Sequence, residues 1–465
     1  MSAGLSVSAI RRGATLGLAR ISGIAAQMGV QIAVGALAGA AGIGALQLHM
    51  AWSSVAGEVL GRGEATRAMR DTAVIAGHRA GAAIRGNLRR AFGQIASFSA
   101  VLGGVALLLV AAGLGACAGA AVGAYPASAP GSLAGFAPGC FLSTDGAVLA
   151  VSVIAAAPLF AFTRVLAETL KALDKPLIAV SVENAAVPLA VLGACAALAW
   201  LGAGARAVLD ALLIAAVLGA GAATLLLLCA VRREVRREVP RDAPPQVPQH
   251  GSRRAERAPR PLGPREQLHF WLTGLLNIAF LQLPFLVMPW LVSVDDVGEF
   301  AVAHKLVNVI TTLLILLAAV YSPRFARAAA AARFDEARRL LRETQYLSLA
   351  LFTPVWMILL ILADPLAWLF SLGERDLLPF LLILGAGQLI NAATGLCGVM
   401  LNMSGAPQLE TRILSICTLL TLVAAVGLGS VRGALGIAAA GAGGIALRNL
   451  ASYALALRHL DRSAA

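Results

Sequence analysis

Along most of its length the chain alternates long apolar runs with short segments in which Arg, Lys and Pro gather. The runs are rich in Leu, Ala, Val and Ile, and most reach roughly 20 residues, the length at which an α-helix crosses a hydrocarbon core. In lipid the backbone must satisfy its own hydrogen bonds, which leaves helices and closed barrels. Continuous apolar runs, rather than ten-residue alternations of apolar and polar positions, select the helix. The pattern predicts an all-α polytopic membrane protein with about twelve spans, at residues 16–39, 41–60, 94–115, 147–168, 177–201, 208–231, 268–291, 300–322, 345–364, 378–401, 412–430 and 434–457.

Composition agrees, with 59% hydrophobic and 13% charged residues, too little polar surface to solvate a globule of 465 residues. Twelve spans put both termini on one side of the membrane. Most of the 37 basic residues then fall in segments on the side of the termini, which the positive-inside rule makes cytoplasmic. The expected location is a bacterial inner membrane. The net charge of +13 does not point to nucleic acid, because it is spread over short juxtamembrane loops without interleaved aromatics.

Six spans lie on each side of a stretch dense in Arg and Pro, including Arg232, Arg236, Pro240, Pro244, Pro248, Pro259 and Pro264. Such a composition reads as a disordered linker. The expected organisation is an amino-terminal six-helix bundle at 1–231, a cytoplasmic linker at 232–267 and a carboxyl-terminal six-helix bundle at 268–465. Equal span numbers suggest parallel repeats, and Gly44 opens the second span as Gly298 opens the eighth. After the eighth span, Phe334, Ala337, Leu340 and Leu341 recur at helical spacing among Arg333, Arg338, Arg339 and Arg342. That pattern predicts an amphipathic helix on an anionic leaflet.

Chemistry must be sought where it is expensive. A charge near the middle of a span costs about 2.5–3.5 kcal/mol on insertion scales and usually marks function. Arg20, Lys305 and Arg448 fall within predicted spans, Arg448 the deepest of them. Gln388, Asn391 and Asn402 add hydrogen-bonding groups in or beside spans, as do Gln282 and Asn308. These side chains are the candidates for a central substrate cavity, the cations for an anionic headgroup and the amides for sugar hydroxyls. Glu58, Glu168 and Glu183, near span ends, read as interface residues or partners of nearby Arg.

Enzyme signatures are lacking. The six histidines show no metal-ligand spacing, there is no phosphate-binding glycine loop and no nucleophile elbow, and the longest external loop offers only Asp145 for acid–base work. No metal, cofactor or catalytic residue is expected. Of the six cysteines, Cys117 and Cys140 fall in or beside that external loop, where a disulfide could form in an oxidising compartment.

Three stretches resemble a known family. The run from Val297 to Leu341, the run from Leu381 to Pro407 with Asn391 and Asn402-Met403-Ser404-Gly405, and the ending from Gly433 to Leu460 look like bacterial polysaccharide and O-antigen repeat-unit flippases. These belong to the multidrug/oligosaccharidyl-lipid/polysaccharide exporter superfamily. The resemblance implies two six-helix bundles that expose a central cavity alternately to each side. It also implies movement of undecaprenyl-pyrophosphate-linked oligosaccharide to the periplasmic leaflet, beside membrane lipids, a polysaccharide polymerase and chain-length machinery. Lys305 matches the position where such flippases carry a basic residue in the eighth span, and Arg20 is similar to basic residues of their first span. Arg448 matches no family motif. The alternatives are a cation-coupled multidrug exporter of the same superfamily, for which an acidic residue would be expected in the first span, and a membrane glycan polymerase or ligase.

Overall fold

The computed structural model describes residues 7–76, 81–122, 144–202, 205–237, 264–331, 333–373, 375–403 and 407–464. They form α1 (Val7–Gly61), α2 (Glu64–Ala76), α3 (Gly81–Val122), α4 (Thr144–Ala172), α5 (Pro176–Leu201), α6 (Ala205–Arg237) and α7 (Pro264–Val287). After a 3-10 turn at Met288–Trp290 come α8 (Val294–Ala330), α9 (Phe334–Ile361), α10 (Ala363–Leu369), α11 (Leu378–Thr394), α12 (Cys397–Met403) and α13 (Pro407–Ala464). Among the described residues there is no strand.

Among the described residues, eight helices are long and apolar enough to cross a membrane, and two of these, Ala19–Gly61 and Gln408–Leu460, run to 43 and 53 residues. Each contains a glycine in the left-handed region, Gly39 (φ 62°) in α1 and Gly433 (φ 59°) in α13. Residues eight apart lie about 12 Å apart in a straight helix. Yet a side-chain carbon at Gly35 would meet Ile43 at 3.2 Å, and one at Gly436 would strike the Leu428 carbonyl. The chain therefore doubles back at both glycines, and a residue with a β-carbon would be strained at either. Each long helix supplies two spans. With α11 and α12 as one span bent by 44°, and α8 carrying the eighth, all twelve expected spans lie on helices.

Two compact units divide the chain. The first gathers the start of α1 through Val30, then Trp52 to Leu275 apart from a stretch outside the described residues. Its core is an apolar cluster in which Val165, Leu166 and Leu170 of α4 meet Ile84 and Ile95 of α3 and Leu227 and Val231 of α6. The three acidic residues near span ends all find cations here. Glu58 pairs with Arg164 at 2.7 Å, while Lys171 sits between Glu168 at 2.9 Å and Glu183 at 3.1 Å. The linker expected at 232–267 is helical at both edges, since α6 continues to Arg237 and α7 begins at Pro264. Its remainder lies outside the described residues, as do Cys140 and the side chain of Cys117, so the expected disulfide does too.

The second unit takes Gln31–Ala51, the bend of α1, together with Leu276 onward. Here Gly44 and Gly298 serve one purpose: a β-carbon on Gly44 would strike the Val294 carbonyl, and one on Gly298 the Ala40 carbonyl. The bend of α1 and the start of α8 thus approach backbone to backbone, a crossing that only small residues permit. The expectation of a leaflet-bound helix after the eighth span is corrected. Ala337, Leu340 and Leu341 are buried against Tyr321, Phe325, Met400, Leu401 and Leu460, and the helix runs unbroken into the next span. Its apolar face was built for protein, not lipid, and only its Arg face is polar.

The start of α8 is fixed by polar chemistry. Ser293 caps the helix by accepting from the Asp296 backbone N–H, and the Asp296 carboxylate accepts in return from the Ser293 N–H. Arg375 then donates to Asp296 at 2.8 Å and reaches Glu299 at 3.5 Å. Burial alone would raise the Asp296 carboxyl, but the Ser293 and Arg375 hydrogen bonds outweigh it and hold the group below its ordinary range. A depressed carboxyl stabilises the fold above its unfolded value and loses that contribution as pH falls through the folded one. Asp296→Asn is therefore expected to cost about 0.5 kcal/mol near neutral pH, a figure reduced by solvent screening of a partly exposed pair, and progressively less as pH falls below the ordinary carboxyl value, read as thermal midpoints in detergent. An equal loss at neutral and acid pH would show that the charge is not what matters.

Candidate functional site

Within the second unit, six helices line a cavity of about 370 Å³. From α7 comes Phe280, from α8 Asn308, from α9 Ser348, and from α11 Gln388 and Asn391. The loop-linked α12 adds Asn402, and both arms of α13 contribute, Glu410 from the first and Arg448 with Asn449 from the second. Four of the six candidate residues, Gln388, Asn391, Asn402 and Arg448, therefore share one cavity, joined by Asn308. Arg20 is exposed on α1 in the first unit, and Lys305, half-buried on α8 beside His304, does not line it.

Helical geometry explains the amide pair. Gln388 and Asn391 are three apart on α11, so they share a face, and Asn391 Nδ2 donates to Gln388 Oε1 at 2.9 Å. Gln388 is buried, and a buried amide needs such a partner. The arrangement leaves Gln388 Nε2 and Asn391 Oδ1 as further donor and acceptor groups on the cavity wall.

The charge at the site differs from the sequence-based expectation of a cationic cavity. Arg448 donates from Nε at 3.2 Å and from Nη2 at 2.9 Å to one oxygen of Glu410, and Ser452 Oγ donates to the other at 2.7 Å. The guanidinium also lies over the Phe280 ring, 5.5 Å from its centre. Glu410 was not a candidate, because it falls in the stretch 402–411 that the hydropathy pattern assigns to a loop. In the fold it opens α13, and the reversal at Gly433 carries Arg448 back to it. Gly398 faces the carboxylate, where a β-carbon would come within 3.2 Å. A single acidic residue just before a span, with an intramembrane Arg in the next, is the signal that could have found the pair.

In chemical terms the cavity is a carboxamide-rich pocket with one aromatic face and an ion pair of zero net charge. It offers hydrogen bonds and apolar contact to a ligand. Among the described residues no group of His, Cys, Asp or Glu could hold a metal ion.

Residues 272–426, which contain α8 to α12 and much of the cavity wall, match the MatE family. The chain is similar in structure to an inward-facing multidrug resistance MATE family transporter of the MOP superfamily, with a TM-score of 0.67 at 13% identity over 96% of this chain and 98% of that one. An outward-facing multidrug resistance MATE family transporter gives 0.56 at 14% identity, over 97% and 96% of the two chains. A MOP superfamily transporter from Pyrococcus furiosus, described as having reverse polarity of its binding pocket, gives 0.51 at 13% over 97% and 96%. No curated relative matches the chain. At these identities the likeness establishes the fold: the chain is a multi-pass membrane protein with the twelve-helix architecture of MATE-type transporters.

Proposed function

We propose that the chain is a secondary exporter of the MOP superfamily, a transporter rather than an enzyme, which carries an amphiphilic molecule across a bacterial inner membrane. The observation that carries this reading is the carboxamide-rich cavity inside a helical unit of MATE-type fold, polar enough to orient a ligand and charged only by an internally balanced pair. The distribution of Arg and Lys supports cytoplasmic termini. The match of residues 272–426 to the MatE family and the likeness to multidrug resistance transporters favour a multidrug-type exporter.

A second reading is the flipping of lipid-linked oligosaccharide for polysaccharide export, working with a polymerase and chain-length machinery. It is favoured by the five carboxamides at the cavity, Asn308, Gln388, Asn391, Asn402 and Asn449, which suit a hydroxyl-rich ligand. The cations expected to meet an anionic headgroup do not gather in this cavity, since Arg448 is paired and neither Lys305 nor Arg20 lines it.

Deleting the gene in its host separates the two. Altered tolerance to amphiphilic drugs with unchanged lipid-linked sugars supports the exporter. Accumulation of lipid-linked oligosaccharide with loss of surface polysaccharide overturns it in favour of the flippase. In complemented cells, Asn391→Ala is expected to lower transport about tenfold at normal protein level, since it removes an oriented hydrogen-bonding pair. Unchanged transport in that variant would mean that the cavity is not the route.

A further inference from the structure

We propose that Glu410 sets the charge preference of this cavity, so that it accepts an uncharged headgroup bearing acceptor oxygens and turns anions away. The inference rests on the cavity being the substrate site, and it assigns the class of substrate.

The argument is an account of donors and charges. A guanidinium carries five N–H groups. Two of those on Arg448 point to Glu410, and among the described residues none of the others has a protein acceptor, although the side chain lines the cavity. The positive charge is therefore balanced while donor capacity remains. Glu410, by contrast, has both oxygens engaged: one takes both bonds from Arg448 and the other takes Ser452. Exposure follows the same order, with 25% of the Arg448 side chain accessible and 11% of that of Glu410. A ligand entering the cavity meets the fork of donors rather than the carboxylate.

An anion at that fork would have to share Arg448 with a carboxylate that Ser452 holds in place, and two negative groups around one cation repel. A cation would have to displace Arg448 from Glu410, which is the less accessible partner. A hydroxyl, ether or carbonyl oxygen avoids both costs: it accepts from the spare N–H groups, and the Gln388 and Asn391 amides complete its hydrogen bonding. Phe280, whose ring lies 5.5 Å from the guanidinium carbon, supplies an apolar face.

Three probes with the same chain isolate headgroup charge: octyl glucoside, octyl phosphate and octylammonium. Radiolabelled forms are titrated, below their critical micelle concentrations, against the full chain in nanodiscs, and saturable binding is measured by scintillation proximity. Wild type is expected to bind octyl glucoside about tenfold more tightly than octyl phosphate. Glu410→Gln keeps the shape and the Ser452 contact but removes the negative charge, and is expected to shift the ratio about tenfold toward octyl phosphate. Arg448→Gln carries the mirrored expectation, a gain of about tenfold for octylammonium, and decides the matter if Glu410→Gln does not accumulate. A wild type that prefers octyl phosphate, or variants with unchanged ratios beside normal glucoside binding, overturns this inference alone. Absence of saturable binding by any of the probes overturns the cavity as substrate site and this inference with it.

Discussion

Gly298→Leu is expected to destabilise the protein by about 3 kcal/mol or more, the range for forcing bulk into a site that cannot yield. The obstacle is backbone: the added carbon meets the Ala40 carbonyl, which is held by the bend of α1 and cannot rotate away as a side chain would. Gly44→Leu, aimed at the Val294 carbonyl from the other side of the crossing, is expected to behave alike. Gly443→Leu provides the comparison, since it lies on an exposed face of α13 with open space around it and should change stability by about 0.5 kcal/mol or less. Thermal midpoints in detergent and yields from the membrane measure all three. If Gly298→Leu and Gly443→Leu match, the close crossing is not a determinant of the fold.

Glu410→Ala is expected to cost about 3 kcal/mol, because it leaves a largely buried guanidinium without its carboxylate. The double variant Glu410→Ala/Arg448→Ala should recover a large part of that loss, since removing both partners removes the uncompensated charge. Additivity of the two single losses would contradict the pair as a coupled unit. The same measurement separates energetic from functional importance: a stable double variant that no longer transports would place the pair in the substrate's path.

The spans were legible in the sequence because the bilayer imposes a simple requirement, a continuous apolar run of sufficient length, which α4 or α9 meets without help from any neighbour. Partnership was not legible to the same degree. Leu340 and Leu341 repeat at helical spacing whether the helix lies on lipid or on protein, and only the presence of Phe325, Met400 and Leu460 against them decides between the two. Arg448 was found by its depth, which is a property of one residue. Its neutralisation depends on Glu410, 38 positions away in the sequence, and on the reversal at Gly433 that brings the arms of α13 together. Lys305 and Arg448 are both intramembrane cations on hydropathy alone, yet the fold sends only Arg448 to the cavity. The amides Gln388 and Asn391 were the easier inference, since three residues on one helix is a distance that sequence itself defines.

The bend of α1 also bears on how the protein is made. Residues Gln31–Ala51 count with the second compact unit, although some 220 residues separate them from the rest of it. During synthesis the bend enters the membrane early, and the small-residue notch at Gly44 waits for Val294 and Gly298 until α8 emerges. At about 5–20 residues per second that interval lasts tens of seconds. A hairpin with an unfilled notch is open to the wrong neighbour for all of that time, because a glycine surface admits another helix backbone as readily as it admits α8.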